Sequence, residues 1–175
     1  KKKKKCNWSG FHPHPTQSKN LTAEKHNAHG TGILIGHHGI LLTGVSGAGK
    51  SLLALDLLEQ ARLRGETALL ISDDRVVLSS DEDGLIMEAP ETIEGMIELR
   101  GRGIITLPFA KKAHVHLVVD LVEEEERLLE ESALTTKMEG IWVPRCPVPR
   151  RGRIDGLHQR FLVHAALRAL GANLQ

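Results

Sequence analysis

The chain has 175 residues, of which 41% are hydrophobic and 26% charged, with a net charge of +1. That length and balance suit one globular domain large enough to bury a core without staples, and no apolar run of about 18 residues signals a membrane span. The charge is unevenly spread: residues 1–25 hold seven Lys and one Glu, +6, while the remainder holds 16 basic and 21 acidic residues, −5. An acidic body argues against a nucleic-acid-binding domain. The basic start suits nucleic acid or an anionic surface, or is simply a solvated extension.

Aromatics make up 3% of the chain and Tyr is absent, so Leu, Ile, Val and Ala must build the core. The first residues, Lys1 to Lys5, lead into a polar stretch rather than the apolar one of a secretory signal. Cys6 and Cys146 are the only cysteines, neither in a motif, and are expected to be free thiols in a cytoplasmic protein.

Residues 1–27 read as a flexible basic arm and 28–175 as the folded domain. His29 to Ile35 and His38 to Thr43 read as short strands joined by a turn at Gly36. The second runs into a glycine-rich loop, after which Leu52, Leu53, Leu55, Leu57, Leu58 and Ala61 predict a helix ending near Gly65. Thr67 to Ile71 reads as the next strand. Strand, loop, helix and strand make a βαβ unit, the seed of an α/β sheet with parallel strands. Arg75 to Ser80 and Leu85 to Glu88 predict a hairpin around residues 81–84. Val115 to Val122 predicts a buried strand, followed by a charged helix over Glu123 to Glu131. The Pro- and Arg-rich stretch Trp142 to Arg153 cannot be regular helix. Gly156 to Leu170 predicts a closing amphipathic helix with Leu157, Phe161, Ala165 and Ala169 near one face. The fold class is therefore α/β, with a mixed sheet and flanking helices.

The strongest chemical signal is Gly44-Val45-Ser46-Gly47-Ala48-Gly49-Lys50-Ser51, which satisfies G-x4-G-K-[ST] between an apolar strand and a Leu-rich helix. Glycines let backbone N–H groups converge on an anion, and the helix points its positive end at the same phosphates. Lys50 is suited to the β- and γ-phosphates and the Ser51 hydroxyl to Mg²⁺. Asp73 and Asp74 follow at the carboxyl end of a strand, where α/β sheets bind ligands. Adjacent strand residues project in different directions, so one acid can face the metal while the other faces an incoming hydroxyl as general base. The alternative is that one Asp belongs to the metal shell and the other caps a turn. Asn-Lys-x-Asp, the base-specificity motif of GTPases, is absent.

Four segments in order, His29-Gly30, Gly44 to Ser51, Ser72-Asp73-Asp74-Arg75-Val76 and Glu98-Leu-Arg100-Gly101-Arg-Gly103-Ile-Ile105, resemble the catalytic domain of HPr kinase/phosphorylase, in the short form without the usual N-terminal domain. The Glu-x-Arg-Gly-x-Gly-Ile segment is that family's own signature. The resemblance implies a P-loop kinase-like domain and a serine kinase that phosphorylates the phosphocarrier HPr from ATP or pyrophosphate. It also implies reversal by phosphorolysis, giving pyrophosphate, and a homo-oligomer such as a hexamer. It casts Asp74 as proton acceptor and donor, Glu98 as second Mg²⁺ ligand and His29 as catalytic. It assigns Arg127 and the segment carrying Arg150, Arg151 and Arg153 to the reverse reaction.

From the residues alone, His29 reads as structural, Glu98 equally as a loop carboxylate near a metal or a surface ion pair with Arg100 or Arg102, and Arg127 as an exposed helix residue. The three later arginines suit phosphate or a solvated loop. Leu52 and Val45 depart from acidic residues common in the family. Alternative functions are a nucleotide-sensing interaction protein with little transfer and a P-loop small-molecule kinase. The close pairs His12/His14, His37/His38 and His114/His116 raise a minor zinc reading, with no Cys or acidic residue at recognisable spacing.

Overall fold

The computed structural model describes residues 25–124 and 126–172. Along them run β1 (His26–His29), β2 (Thr31–Ile35), β3 (His38–Gly44), α1 (Lys50–Leu63), β4 (Ala68–Ser72), β5 (Arg75–Asp81), β6 (Gly84–Glu88), β7 (Met96–Leu99), β8 (Gly103–Thr106), β9 (Lys112–Val122), β10 (Thr135–Met138), β11 (Ile141–Pro149) and α2 (Gly156–Ala172). Nearly all of the expected basic arm, and with it Cys6, lies outside the described residues.

Nine strands form one mixed sheet in the order β1-β5-β6-β9-β3-β2-β4, with β11 joining β9 and β10 joining β11. The eleven-residue β9 is its spine. It runs antiparallel to β6 through Lys112–His114, and parallel to β3 and to β11 further along. The side chains alternate as a strand with two buried faces requires. Ile40, Leu42, Leu117, Val119 and Leu121 face α1 and α2, whereas Leu41, Val115 and Val118 face Val76, Leu78, Leu85 and Met87. Both helices therefore cover one face, and the curled half β1-β5-β6 covers the other. The β7–β8 hairpin stands apart from the sheet, tethered by the fully buried Ile97.

Most expected elements are present, with instructive differences. His29 to Ile35 is two strands rather than one. The chain breaks at Gly30, after which β2 pairs with β3 while β1 pairs with β5. A Cβ on Gly30 would stand 2.8 Å from the Leu42 carbonyl oxygen, so only glycine lets the chain cross there. Strand β1 begins at His26, inside the stretch assigned to the arm. In the βαβ unit, β3 and β4 do run the same way. They are not neighbours, because β2 lies between them antiparallel to both. The parallel neighbour of β3 is β9, which is 77 residues away at Thr43–Asp120.

The charged helix expected over Glu123 to Glu131 does not form over the described residues; only a 3₁₀ turn at Glu131–Leu134 follows β9. Consecutive carboxylates repel and leave no apolar stripe to dock a helix. Glu123 instead turns to Arg150, 2.6 Å away, and to Arg153. Its Pro-rich partner segment is strand β11, whose Pro147 and Pro149 pair with β9 only from one side. In α2 the buried face is Gln159, Val163 and Ala166, while Leu157 and Phe161 are 51% and 59% exposed. Leu162, Leu167 and Leu170, partly buried, pack against the same core beside Val163 and Ala166, so the docked stripe is turned away from the one expected. The Cys146 thiol is buried, which pushes its pKa up to about 12. Among the described residues no helix is long and apolar enough to cross a membrane.

The burial pattern of α2 predicts that Val163→Ala lowers stability by about 2 kcal/mol through cavity formation. Phe161→Ala should change it by no more than about 0.5 kcal/mol. Urea unfolding midpoints of the two variants measure the contrast.

Candidate active site

Strand β3 ends at Gly44, and the chain turns through Val45–Gly49 before α1 begins at Lys50. Gly44, Gly47 and Gly49 have φ of 130°, 80° and 103°, outside the range of ordinary L-residues. A Cβ on Gly44 would also meet the Leu121 carbonyl oxygen at 2.8 Å. Ala48 is buried and pins the loop, while Val45 points to solvent. The loop opens onto a cleft of about 350 Å³ floored by Ser46, Gly47, Gly49, Lys50 and Ser51.

Around the loop the expected residues converge. Lys50 is only 7% exposed. Its ammonium donates to the Gly44 and Val45 carbonyls at 2.9 and 3.1 Å and to His29 Nε2 at 3.0 Å. That third contact fixes the histidine tautomer. With Nε2 accepting from an ammonium, the ring proton sits on Nδ1, which donates to the Asp74 carbonyl at 2.9 Å and faces Asp74 Oδ1 at 3.1 Å. His29 thus bridges the loop lysine and the second aspartate, a role its place on a strand conceals in sequence.

The two aspartates lie in the turn after β4 and take separate surroundings. Asp73 is buried: Oδ1 accepts from Ser51 Oγ at 2.8 Å and Thr31 Oγ1 at 2.7 Å, and Oδ2 from the Glu98 N–H at 3.2 Å. Asp74 has a left-handed φ of 68° and a side chain 82% exposed to the cleft. Such a φ is uncommon outside glycine and is held here by the chain crossing, with Gly30 N–H donating to the Asp74 carbonyl.

Glu98 lies on strand β7 rather than in a loop, with Gly101 and Gly103 forming the tight turn after it at φ of 86° and 96°. Glu98 and Arg100 both line the cleft. The arginine trio separates. Arg151 covers the phosphate loop, its N–H donating to the Ala48 carbonyl, while Arg150 and Arg153 bind Glu123. Arg127 lines a different cavity of about 550 Å³, together with Arg145 and His158. Thr31 is the residue that sequence reasoning missed. It is fully buried and supports Asp73 from 42 residues away, with no local pattern to mark it.

Burial pushes the Lys50 pKa below its usual value of 10.5, and the charges of Asp74 and Asp73 oppose that effect. An ammonium desolvated among carbonyls gains most from an incoming anion. Ser51, Asp73 and Glu98 supply hard oxygen donors beside it, the set that suits Mg²⁺. The arrangement can bind a polyphosphate and present a carboxylate to a hydroxyl.

The family model for the HPr Serine kinase C-terminal domain matches residues 20–168. An HPr kinase/phosphorylase of Geobacillus thermodenitrificans is 40% identical over 127 residues, which are 65% of this chain and 38% of the relative. That of Geobacillus kaustophilus is 36% identical over 154 residues, 77% of this chain and 46% of the relative. The chain thus spans less than half the length of these curated relatives. The solved structure of the Hpr(Ser) kinase/phosphatase from Coxiella burnetii is 29% identical, with a TM-score of 0.66 over 84% of this chain and 93% of that one.

Because the folded state depresses the Lys50 pKa, its contribution to stability should rise with pH from the lowered value up to 10.5. The side-chain ¹³Cε resonance of Lys50 should titrate below 10.5 and move upward when pyrophosphate is added, since a bound anion favours the ammonium.

Proposed function

The chain belongs to the HPr serine kinase C-terminal domain family, and on that premise we propose that it transfers a phosphoryl group between ATP and a serine hydroxyl of an HPr-like phosphocarrier protein. The observation that carries this reading is the contact chain Lys50–His29–Asp74, which ends in an exposed carboxylate beside the phosphate loop. Small phosphate-binding domains that only hold a nucleotide have no need of such a carboxylate held at a strained backbone position.

In the forward direction, the loop amides and Lys50 hold the polyphosphate. Asp74 accepts the proton of the serine hydroxyl as its oxygen attacks the γ-phosphorus and ADP leaves. The neutral His29 keeps Asp74 and Lys50 in register by hydrogen bonding to both. Ser51, Asp73 and Glu98 would hold Mg²⁺, which supplies neutralisation of phosphate charge when bound. Arg151, above the loop, adds a planar cation on the side open to a protein substrate. In reverse, inorganic phosphate attacks the phosphoserine, Asp74 returns the proton to the departing serine oxygen, and pyrophosphate leaves. The two reactions differ in donor and acceptor but share the proton transfer at the serine oxygen, which the same carboxylate serves in both. Arg127 lies away from this cleft, so its part in the reverse reaction would need to be played on the phosphoprotein or on a neighbouring subunit.

The test is transfer of label from [γ-³²P]ATP with Mg²⁺ to purified HPr, followed by addition of inorganic phosphate. Labelled HPr that then loses its label as pyrophosphate supports both directions. ATP binding without any labelled HPr would instead favour a nucleotide-sensing protein. Asp74→Asn should lower both rates by at least a hundredfold while ATP affinity stays within about threefold, the general base being worth roughly 10²–10⁴ in rate. Wild-type transfer in that variant would remove Asp74 from its role.

A further inference from the structure

At the end of the sheet opposite the phosphate loop, the hairpin turn between β5 and β6 meets the start of β9. Asp81, Asp83 and His114 each bring a ligand atom there, all within 4.8 Å of one another. We propose that these three residues bind a divalent transition ion of the zinc class.

One imidazole and two carboxylates come from two chain segments, a mixed nitrogen and oxygen set that favours Zn²⁺, Co²⁺ or Ni²⁺ over Mg²⁺. The His114 Nε2 to Asp81 Oδ2 distance is 3.2 Å. Ligands on a tetrahedral ion with bonds of about 2.0 Å stand roughly 3.3 Å apart, so the pair already has the separation an ion would impose. His114 Nε2 also lies 3.3 Å from Asp81 Oδ1. The turn is built to hold Asp81 still: its Oδ1 accepts the N–H groups of Asp83 and Gly84 at 2.9 and 3.0 Å, leaving Oδ2 for a ligand. His114 is braced by pairing of its strand with Ile86 of β6. Two further imidazoles adjoin on the same end of the sheet. The rings of His38 and His116 meet edge-on there at 5.8 Å, outside the group of three.

The site is separate from the cleft. His114 and Asp120 stand six residues apart on one strand, about 20 Å, and Asp120 is the residue beside the loop-bearing strand. An ion here would clamp the β5–β6 turn to β9 without touching the phosphate loop.

The full chain is titrated with Co²⁺ under excess Mg²⁺, which competes at the oxygen-donor cleft, and followed by visible absorption and equilibrium dialysis. The expected result is a visible cobalt band and one bound equivalent that both survive Glu98→Gln and His37→Asn. That equivalent should weaken at least tenfold in His114→Asn and in Asp83→Asn. Asp83 stands in an exposed turn, so this variant reads the site even if His114→Asn folds poorly. An equivalent unchanged in both variants, or no cobalt bound beyond the part sensitive to Glu98, overturns the proposal and leaves an Asp–His hydrogen-bonded pair.

Discussion

A single buried carboxylate joins four parts of the chain. Asp73, at the end of β4, accepts hydrogen bonds from Thr31 on β2, Ser51 on α1 and the backbone of Glu98 on β7. A buried charge is costly unless its lone pairs are met, and three donors meet them here. The same bonds set the distance between the phosphate loop, the sheet edge and the hairpin that carries Glu98. Any of these elements could shift alone only by leaving part of that charge unsatisfied. The geometry of the cleft is thus tied to the folding energetics of the domain.

The chain crossing beside Asp73 does the rest. The chain passes from the curled half of the sheet to the helix-covered half at Gly30 and back at Asp73-Asp74, and these points touch. His29 and Asp74 stand just beyond the crossing, so both face the loop lysine. The left-handed backbone of Asp74 is the local cost of turning there, and the Gly30 N–H is its compensation. A polar relay of lysine, neutral imidazole and exposed carboxylate results from topology, with no shared local sequence motif.

On the other side of the loop-bearing strand, β9 links the cleft to more distant surfaces. Thr43, the residue before Gly44, donates to Asp120, which also binds Arg145 of β11 through Nη2 at 2.5 Å. Arg145 lines the cavity that holds Arg127. Asp120 thus joins the strand that carries the phosphate loop to the strand whose Arg145 lines that cavity.

What the sequence determined is local. The glycine spacing and the flanking strand and helix identified the phosphate loop, because those residues are neighbours in chain and space alike. Alternating apolar residues marked β3, β5, β6 and β9, but Asp73 and Asp74 lie in the turn after β4, where the left-handed backbone of Asp74 rather than strand alternation separates them. Tertiary structure decided what depends on distant pairing. It put β2 between β3 and β4, broke the first strand at Gly30, and turned α2 so that Val163 and Ala166 rather than Leu157 and Phe161 meet the core. It sent Arg150 and Arg153 to Glu123 while keeping Arg151 at the loop. Thr31 and the neighbourhood of His114 stayed invisible for the same reason. Their partners lie 42 and 33 residues away, and a period of two or 3.6 residues carries no information about which strands will meet.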